Sequence, residues 1–211
     1  MSSRALRKSN SQHHLLEKVL YLGYAGQRFH SISLRQLATE MDLVPSALYR
    51  YFPNKNALAN ELLDEIALLI KSYLGLLAQI FYDSHCDGAH INKNIQALCH
   101  HLEQKGIYWH FFITERWGGS IYLEHKIQQE ITFLSVDLSK QMQKKQPDSL
   151  TLSHEHATIL TQLLLPTYFS WMMQYFDLIK QPNNAATIQR KQQLCHALNL
   201  QLQWLRQGLI S

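Results

Sequence analysis

The chain has 211 residues, 46% of them hydrophobic, 10% aromatic and 17% charged, so it can bury a core and wholesale disorder is excluded. No apolar run reaches the roughly 18–20 residues of a membrane span; the densest, 159–173, is interrupted by Thr161, Gln162, Pro166 and Ser170. The net charge of +4 is unevenly spread, because residues 1–55 hold eight Lys and Arg against three acids while the rest holds twelve against thirteen. Such asymmetry points to a polyanionic partner for the first quarter of the chain. Residues 1–14 are polar and basic with no hydrophobic stretch, so no secretory leader is expected. Three cysteines, Cys86, Cys99 and Cys195, are odd in number and far apart in sequence; that spacing reads as reduced thiols in a cytoplasmic protein rather than a disulfide framework.

In chain order, almost everything reads helical, and the predicted fold class is all-α. Residues 1–10 form an expected flexible tail. A first helix is predicted over about 11–28, with Leu15, Leu16, Val19, Leu20 and Tyr24 on one face. Ser33 followed by Gln36 has the form of a capping box, and the helix it opens puts Leu34, Leu37, Ala38 and Met41 on one stripe. Asp42 ends that helix in a turn. Pro45 suits the first position of a short helix to Phe52, which Pro53 stops. Asn54 is placed to cap a long helix carrying Leu58, Leu62, Ile66, Leu69, Tyr73 and Leu77. Further helices are predicted over 91–105, 107–116, 119–145, 153–180 and 184–208, separated by Gly106, Gly118-Gly119, Pro147 and Pro182-Asn183-Asn184. Pro166, inside the fourth of these, is expected to kink it and open space between helices.

Two helices joined by a tight turn of about four residues have the helix-turn-helix arrangement. At about 100° per residue, Leu48 and Phe52, with Val44 before them, point together into a small core. Ser46 and Arg50 lie nearly opposite, flanked by Ala47 and Tyr49, with Tyr51 nearer the helix end. A helix that reads a groove needs such a face: arginine can donate bidentately to guanine and tyrosine hydroxyls can reach phosphates. The expected DNA-contacting residues are Ser33, Arg35, Ser46, Ala47, Tyr49, Arg50, Tyr51 and Lys55. Lys55 would add a phosphate contact together with the next helix N-terminus.

The run from Ser33 to Leu58, and above all Leu48-Tyr49-Arg50-Tyr51-Phe52 followed by Lys55 and Leu58, resembles the DNA-binding region of TetR-family transcriptional regulators. The resemblance covers about residues 11–63. Asp42 stands where that family usually has glycine in the turn, and Val44 where a capping Ser or Thr is common. Farther on, Phe111 to Ser120 and Gln129 to Phe133 resemble the corresponding region of FabR-like repressors of unsaturated fatty-acid biosynthesis, with Trp117 in place of a small residue. What the resemblance implies is an N-terminal three-helix helix-turn-helix domain, residues 1–55, and a helical effector-binding and dimerisation domain, residues 56–211. It also implies double-stranded operator DNA as partner, control of fatty-acid metabolism genes, and a long-chain acyl thioester of CoA or acyl-carrier protein as effector.

Two aromatic clusters, at 108–117 and 168–176, are compatible with a greasy effector cavity, though aromatic residues at helical spacing are more often ordinary core. The expected ligand-contacting residues are Tyr108, Trp109, Phe112, Arg116, Trp117, Tyr168, Trp171 and Met172. Glu115 and Arg116 read either as a structural ion pair or, for Arg116, as an anionic head-group contact. The leucine-rich helices at 153–180 and 184–208, with Leu160, Leu163, Leu164, Leu178, Leu194, Leu198, Leu202 and Leu205, are candidates for a homodimer interface; the alternative is that they complete the core of one chain. Twelve histidines invite a metal, but none has a closed-site spacing, and adjacent histidines on a helix face different ways. No nucleophile elbow, P-loop or paired carboxylates argue for an enzyme, and neither a cofactor nor a metal is expected. The competing readings are a TetR-type repressor of another lipophilic molecule or drug, a helical lipid carrier or enzyme, and a sequence-nonspecific nucleoid-type protein.

Overall fold

The computed structural model describes residues 3–82, 86–144 and 153–210, with side chains omitted for 3–11, 76, 77, 82, 144, 209 and 210. Leu77 of the long-helix stripe and the Pro147 boundary therefore lie outside the described residues. The described chain is all-α: α1 (Ser3–Tyr24), α2 (Leu34–Glu40), α3 (Pro45–Tyr49), α4 (Lys55–Tyr82), α5 (Gly88–Thr114), α6 (Ile121–Lys144), α7 (His154–Ile179) and α8 (Ala185–Ile210), with 3-10 turns at Phe29–Ser31 and Glu115–Trp117. It divides into two compact units, Met1–Leu68 with Ile107–Gln129, and Leu69–Gly106 with Glu130–Ser211.

In the first unit the amphipathic spacing of α1 buries Leu15, Leu16, Val19 and Leu20. Beneath them lie Phe29, Leu37, Leu48, Phe52 and Leu58 from the next four elements, and Trp109, Phe111 and Phe112 from the end of α5. Each fully buried side chain of this kind contributes roughly 1.5–3 kcal/mol relative to exposure. Helix α1 starts at Ser3, well before the predicted residue 11, and stops at Tyr24 because Gly26 takes φ +98. Residues 25–28 leave the helix, and the 3-10 turn that follows has no signal of its own in the sequence.

The capping residues act as their types predict. Ser33 accepts the Gln36 N–H at 3.1 Å, Asn54 Oδ1 accepts the Ala57 N–H at 2.9 Å, and Pro45 occupies the first turn of α3. Each satisfies or removes one of the donors a helix leaves unpaired at its start. Helix α2 closes with two bonds, Leu43 N–H to Ala38 O at 2.9 Å and Asp42 N–H to Thr39 O at 3.1 Å. That pattern is a Schellman cap, which requires a left-handed residue after the helix. Asp42 supplies it at φ 52, the one positive-φ residue other than glycine among the described residues.

The second unit holds the end of α4, the start of α5, the end of α6, and α7 and α8, the last two packing on each other. Its core includes Ile91, Ile95, Leu98, Leu164, Phe176, Leu198 and Leu202. The predicted helices 91–105 and 107–116 are the two parts of α5, which meet at a kink where Lys105 leaves helical geometry (φ −123, ψ 16), beside the predicted break at Gly106. Gly106 beside it is there for space, since a Cβ would sit 2.8 Å from Cε1 of Phe176. Helix α7 continues through Pro166, which lies inside it. No helix among the described residues is long and apolar enough to cross a membrane.

Candidate nucleic-acid interface

Helices α2 and α3 pack together, and the faces of α3 sort as the rotation argument requires. Leu48 and Phe52 are fully buried, while Ser46, Tyr49 and Arg50 are exposed and Ala47 and Tyr51 are half-buried. Ser33 and Arg35, at the start of α2, are also exposed. Val44 corrects the reading that placed it in the core, being 66% exposed. It is the N-cap of α3 with extended backbone (φ −69, ψ 138), so the 100° periodicity does not extend back to it. The hydroxyl of Ser33 is committed to its own helix. Ser46 and Tyr49, with Arg50 at the C-cap, offer the outward-facing donors of α3.

Lys55 is more engaged than a free phosphate clamp. Its Nζ donates to the His30 carbonyl at 2.8 Å and lies 4.9 Å from the centre of the Phe29 ring. Burial pulls the ammonium below its ordinary range, partly offset by the Glu115 carboxylate. An ammonium has three donors, so one holds the Phe29–Ser31 turn while the others remain for an anion.

That turn is the most heavily braced part of the unit, and its braces come from the end of α5. Arg28 donates to the Thr114 carbonyl at 3.0 Å, the Phe29 N–H to Glu115 Oε1 at 3.1 Å, and His30 Nδ1 to the Gly118 carbonyl at 2.6 Å. The Phe29 and Phe111 rings meet edge to face at 6.0 Å, as do Tyr24 and His110 at 5.0 Å. Glu115 is 1% exposed, and its second oxygen, Oε2, is buried with no hydrogen-bond partner. Burial therefore pushes its carboxyl above the usual range, against the Phe29 N–H and the nearby Arg28 and His30 charges, which pull it down. Glu115 is thus bonded to the turn, and the expected ion pair with Arg116 does not form. Arg116 stacks its guanidinium 4.5 Å from the Trp117 ring, and burial lowers its pKa. The sequence reading missed Phe29, His30, Thr114 and Gly118 as participants.

The expected effector residues divide between the two units. In the first, Tyr108, Trp109 and Phe112 are buried, Tyr108 donates to Glu65 Oε1 at 3.1 Å, and Trp117 is 74% exposed. In the second, Tyr168, Trp171 and Met172 are buried, and the Trp171 indole N–H donates to the Leu194 carbonyl at 3.0 Å. The Tyr168 hydroxyl is buried without a hydrogen-bond partner, and burial pushes its pKa up. Two cavities in this unit lie elsewhere. One, of about 590 Å³, is lined by polar residues of α5 and α8 such as Asn92, Gln96 and Lys191. The other, of about 250 Å³, lies between α7 and α8 and is lined by Ile159, Leu163, Trp204 and Leu205. Among the described residues no group of three or more His, Cys, Asp or Glu could hold a metal ion.

The exposed cation-and-hydroxyl face of α3, the capped turn before it and the basic balance of the segment fall in one stretch of the chain. Residues 26–62 match the family model for bacterial regulatory proteins, tetR family, which supports a DNA-binding transcriptional regulator.

Proposed function

We propose that this protein is a repressor that binds operator DNA as a homodimer and responds to a long-chain acyl thioester of CoA or acyl-carrier protein, thereby controlling fatty-acid metabolism genes. The observation that carries the DNA reading is Arg50, exposed on α3 directly across from the buried Leu48 and Phe52. In this reading Arg50 reads a base edge, Ser33, Arg35, Ser46, Ala47, Tyr49 and Tyr51 position α3 against the groove, and Lys55 meets a phosphate.

Dimerisation through α7 and α8 is supported by apolar side chains that one chain leaves in water: Leu163 is 53% exposed and Trp204 68%. Half of the eight leucines considered for this face, Leu160, Leu164, Leu198 and Leu202, are buried within their own chain, so the proposed interface is narrower than the sequence pattern and centres on Ile159, Leu163 and Trp204.

The bracing of the Phe29–Ser31 turn by Thr114, Glu115 and Gly118 supports a ligand response. A displacement at the end of α5 changes the bonds that hold the turn preceding α2, and a ligand favouring one arrangement shifts the population able to bind DNA. Two sets of effector contacts are proposed, each within its own unit: Tyr108, Trp109, Phe112, Arg116 and Trp117 in the first, and Tyr168, Trp171 and Met172 in the second. The unpartnered Tyr168 hydroxyl is the polar atom among them that a ligand oxygen would satisfy.

Titrating the protein–operator complex with acyl-CoAs of increasing length, beside free CoA, tests the reading. Burial of the chain yields roughly 0.8 kcal/mol per methylene, so the midpoint should fall as the chain lengthens. A flat response sinks the acyl effector and leaves the DNA reading, which Arg50→Ala tests separately. Its loss should cost about 1–3 kcal/mol of discrimination between operator and scrambled duplex, and unchanged discrimination removes Arg50 as a base reader.

A further inference from the structure

Two of the three cysteines, 96 residues apart in sequence, meet in the second unit. Sγ of Cys99 on α5 lies 3.5 Å from Sγ of Cys195 on α8. Both are half-buried, whereas Cys86 is buried. Cys195 also lines the polar cavity of about 590 Å³, together with Asn92, Gln96, Lys191, His196 and Asn199, so a small polar molecule in it meets Cys195, with the Cys99 sulfur 3.5 Å away. A disulfide bond is about 2.05 Å long; the thiols are in van der Waals contact and need to close by only about 1.5 Å.

The surroundings differentiate the two sulfurs. Tyr175 donates its hydroxyl to Glu103 Oε1 at 3.0 Å. Lys191 Nζ lies 3.5 Å from the same oxygen and 5.5 Å from the centre of the Tyr175 ring. Beside Cys99 stand the Cys195 thiol and the Lys191 ammonium, against the Glu103 carboxylate. The contact with Cys195 is the largest influence lowering the Cys99 pKa, aided by Lys191 and opposed by burial and Glu103. Holding the shared proton raises that of Cys195. A thiolate is the nucleophile in sulfur chemistry, and the proposal takes Cys99 as the attacking sulfur and Cys195 as the resolving one.

We propose that Cys99 and Cys195 are a redox-active pair that hydroperoxides convert to an intramolecular disulfide joining α5 to α8. The Cys99 thiolate attacks one peroxide oxygen and the O–O bond breaks. The sulfur gains that oxygen and becomes a sulfenic acid, and the other oxygen leaves with a proton as water or an alcohol. Cys195 sulfur then attacks Cys99 Sγ, the S–O bond breaks, and the departing hydroxide takes the Cys195 proton to leave as a second water. Both sulfurs are oxidised by one electron each and the peroxide is reduced by two. The proposal does not depend on the DNA or effector reading.

The test uses the full chain and hydrogen peroxide, followed by denaturation, alkylation with iodoacetamide and intact-mass measurement. Reduced protein should take three adducts, one per cysteine. Oxidised protein should take one, on Cys86, with a peptide cross-link between Cys99 and Cys195, and dithiothreitol should restore all three. Cys86→Ser should form the same cross-link, and Cys195→Ser should stop at a Cys99 sulfenic acid that takes one dimedone. Three adducts persisting at peroxide levels that fully oxidise free glutathione overturn the proposal. A link through Cys86 or a covalent dimer does so equally, and neither result requires any variant to fold.

Discussion

Gly118→Ala is the substitution whose consequence follows most directly from the structure. Gly118 has φ −82 and ψ −3, a conformation open to any residue, so the glycine is required by space and not by backbone freedom. An added Cβ would lie 1.9 Å from Glu115 Oε2 and 2.6 Å from its carboxyl carbon. The carboxyl is buried and cannot swing into water without opening the turn, so it must give up the Phe29 N–H that its other oxygen accepts at 3.1 Å. Leaving a buried donor unpaired costs about 1–3 kcal/mol, and overpacking a filled site costs about 1–3 kcal/mol. A total near 3 kcal/mol should lower Tm by roughly 6–12 °C in a chain of this size. Thermal melts of wild type and variant measure the loss, and the same pair on a Glu115→Ala background isolates its cause. With the carboxyl gone, the methyl group has room, so Gly118→Ala should cost much less there, a non-additivity expected of groups in contact. A variant that melts within about 1 °C of wild type, or an equal loss on both backgrounds, refutes the steric argument.

Four further outcomes are expected. Asp42→Gly should raise stability by about 0.5 kcal/mol in urea unfolding, because the left-handed penalty at φ 52 outweighs the added unfolded-state entropy; a loss would show that the Asp side chain stabilises the turn. Trp204→Glu should convert a sedimenting dimer to monomer with the helical signal intact, and a wild-type sedimentation profile removes α8 from the interface. Glu115 titrates above its unfolded value, so the folded state holds the proton more tightly and stability falls as pH rises from about 4.3 through the raised pKa; Glu115→Gln should remove that decline in pH-dependent melts. His101 has the opposite sign: burial pulls it down to about 4, with Lys105 and His100 adding to the effect. Its contribution is full above about 6.5 and is lost as pH falls toward 4, and His101→Phe, which keeps a ring against Tyr73, should flatten that acid limb.

The parts of the fold legible in the sequence are those fixed by neighbours in the chain. Ser33 capping Gln36, Asn54 capping Ala57, Pro45 opening α3 and the Leu48/Phe52 face all arise within four residues of one another. At Asp42 the sequence places a turn, and only the glycine usual there in TetR-family regulators points toward the left-handed backbone that the Schellman cap uses. Contacts between residues 86 to 96 apart left no such trace. Nothing local marks Phe29 as the partner of Glu115, or Cys99 as the partner of Cys195.

The Glu115-Arg116 doublet shows why a correct local rule must be applied throughout. Neighbouring residues in a helical turn point about 100–120° apart, the argument that sets aside the histidine doublets as ligand pairs. Applied to this doublet, it forbids the ion pair and requires two separate destinations. The structure supplies them: Glu115 faces inward to the Phe29 N–H, and Arg116 outward over the Trp117 ring. An acid forced inward needs a donor and room, and the residue three positions on decides the room. Gly118 and Gly119 look alike as a helix-separating pair, yet only Gly119, at φ +86, is there for its backbone. Gly118 is there because the carboxyl of Glu115 occupies the place of its missing side chain. The glycine pair thus combines the helix break with the pocket for the buried acid, and the acid in turn fixes the turn that leads into the proposed DNA-binding helices.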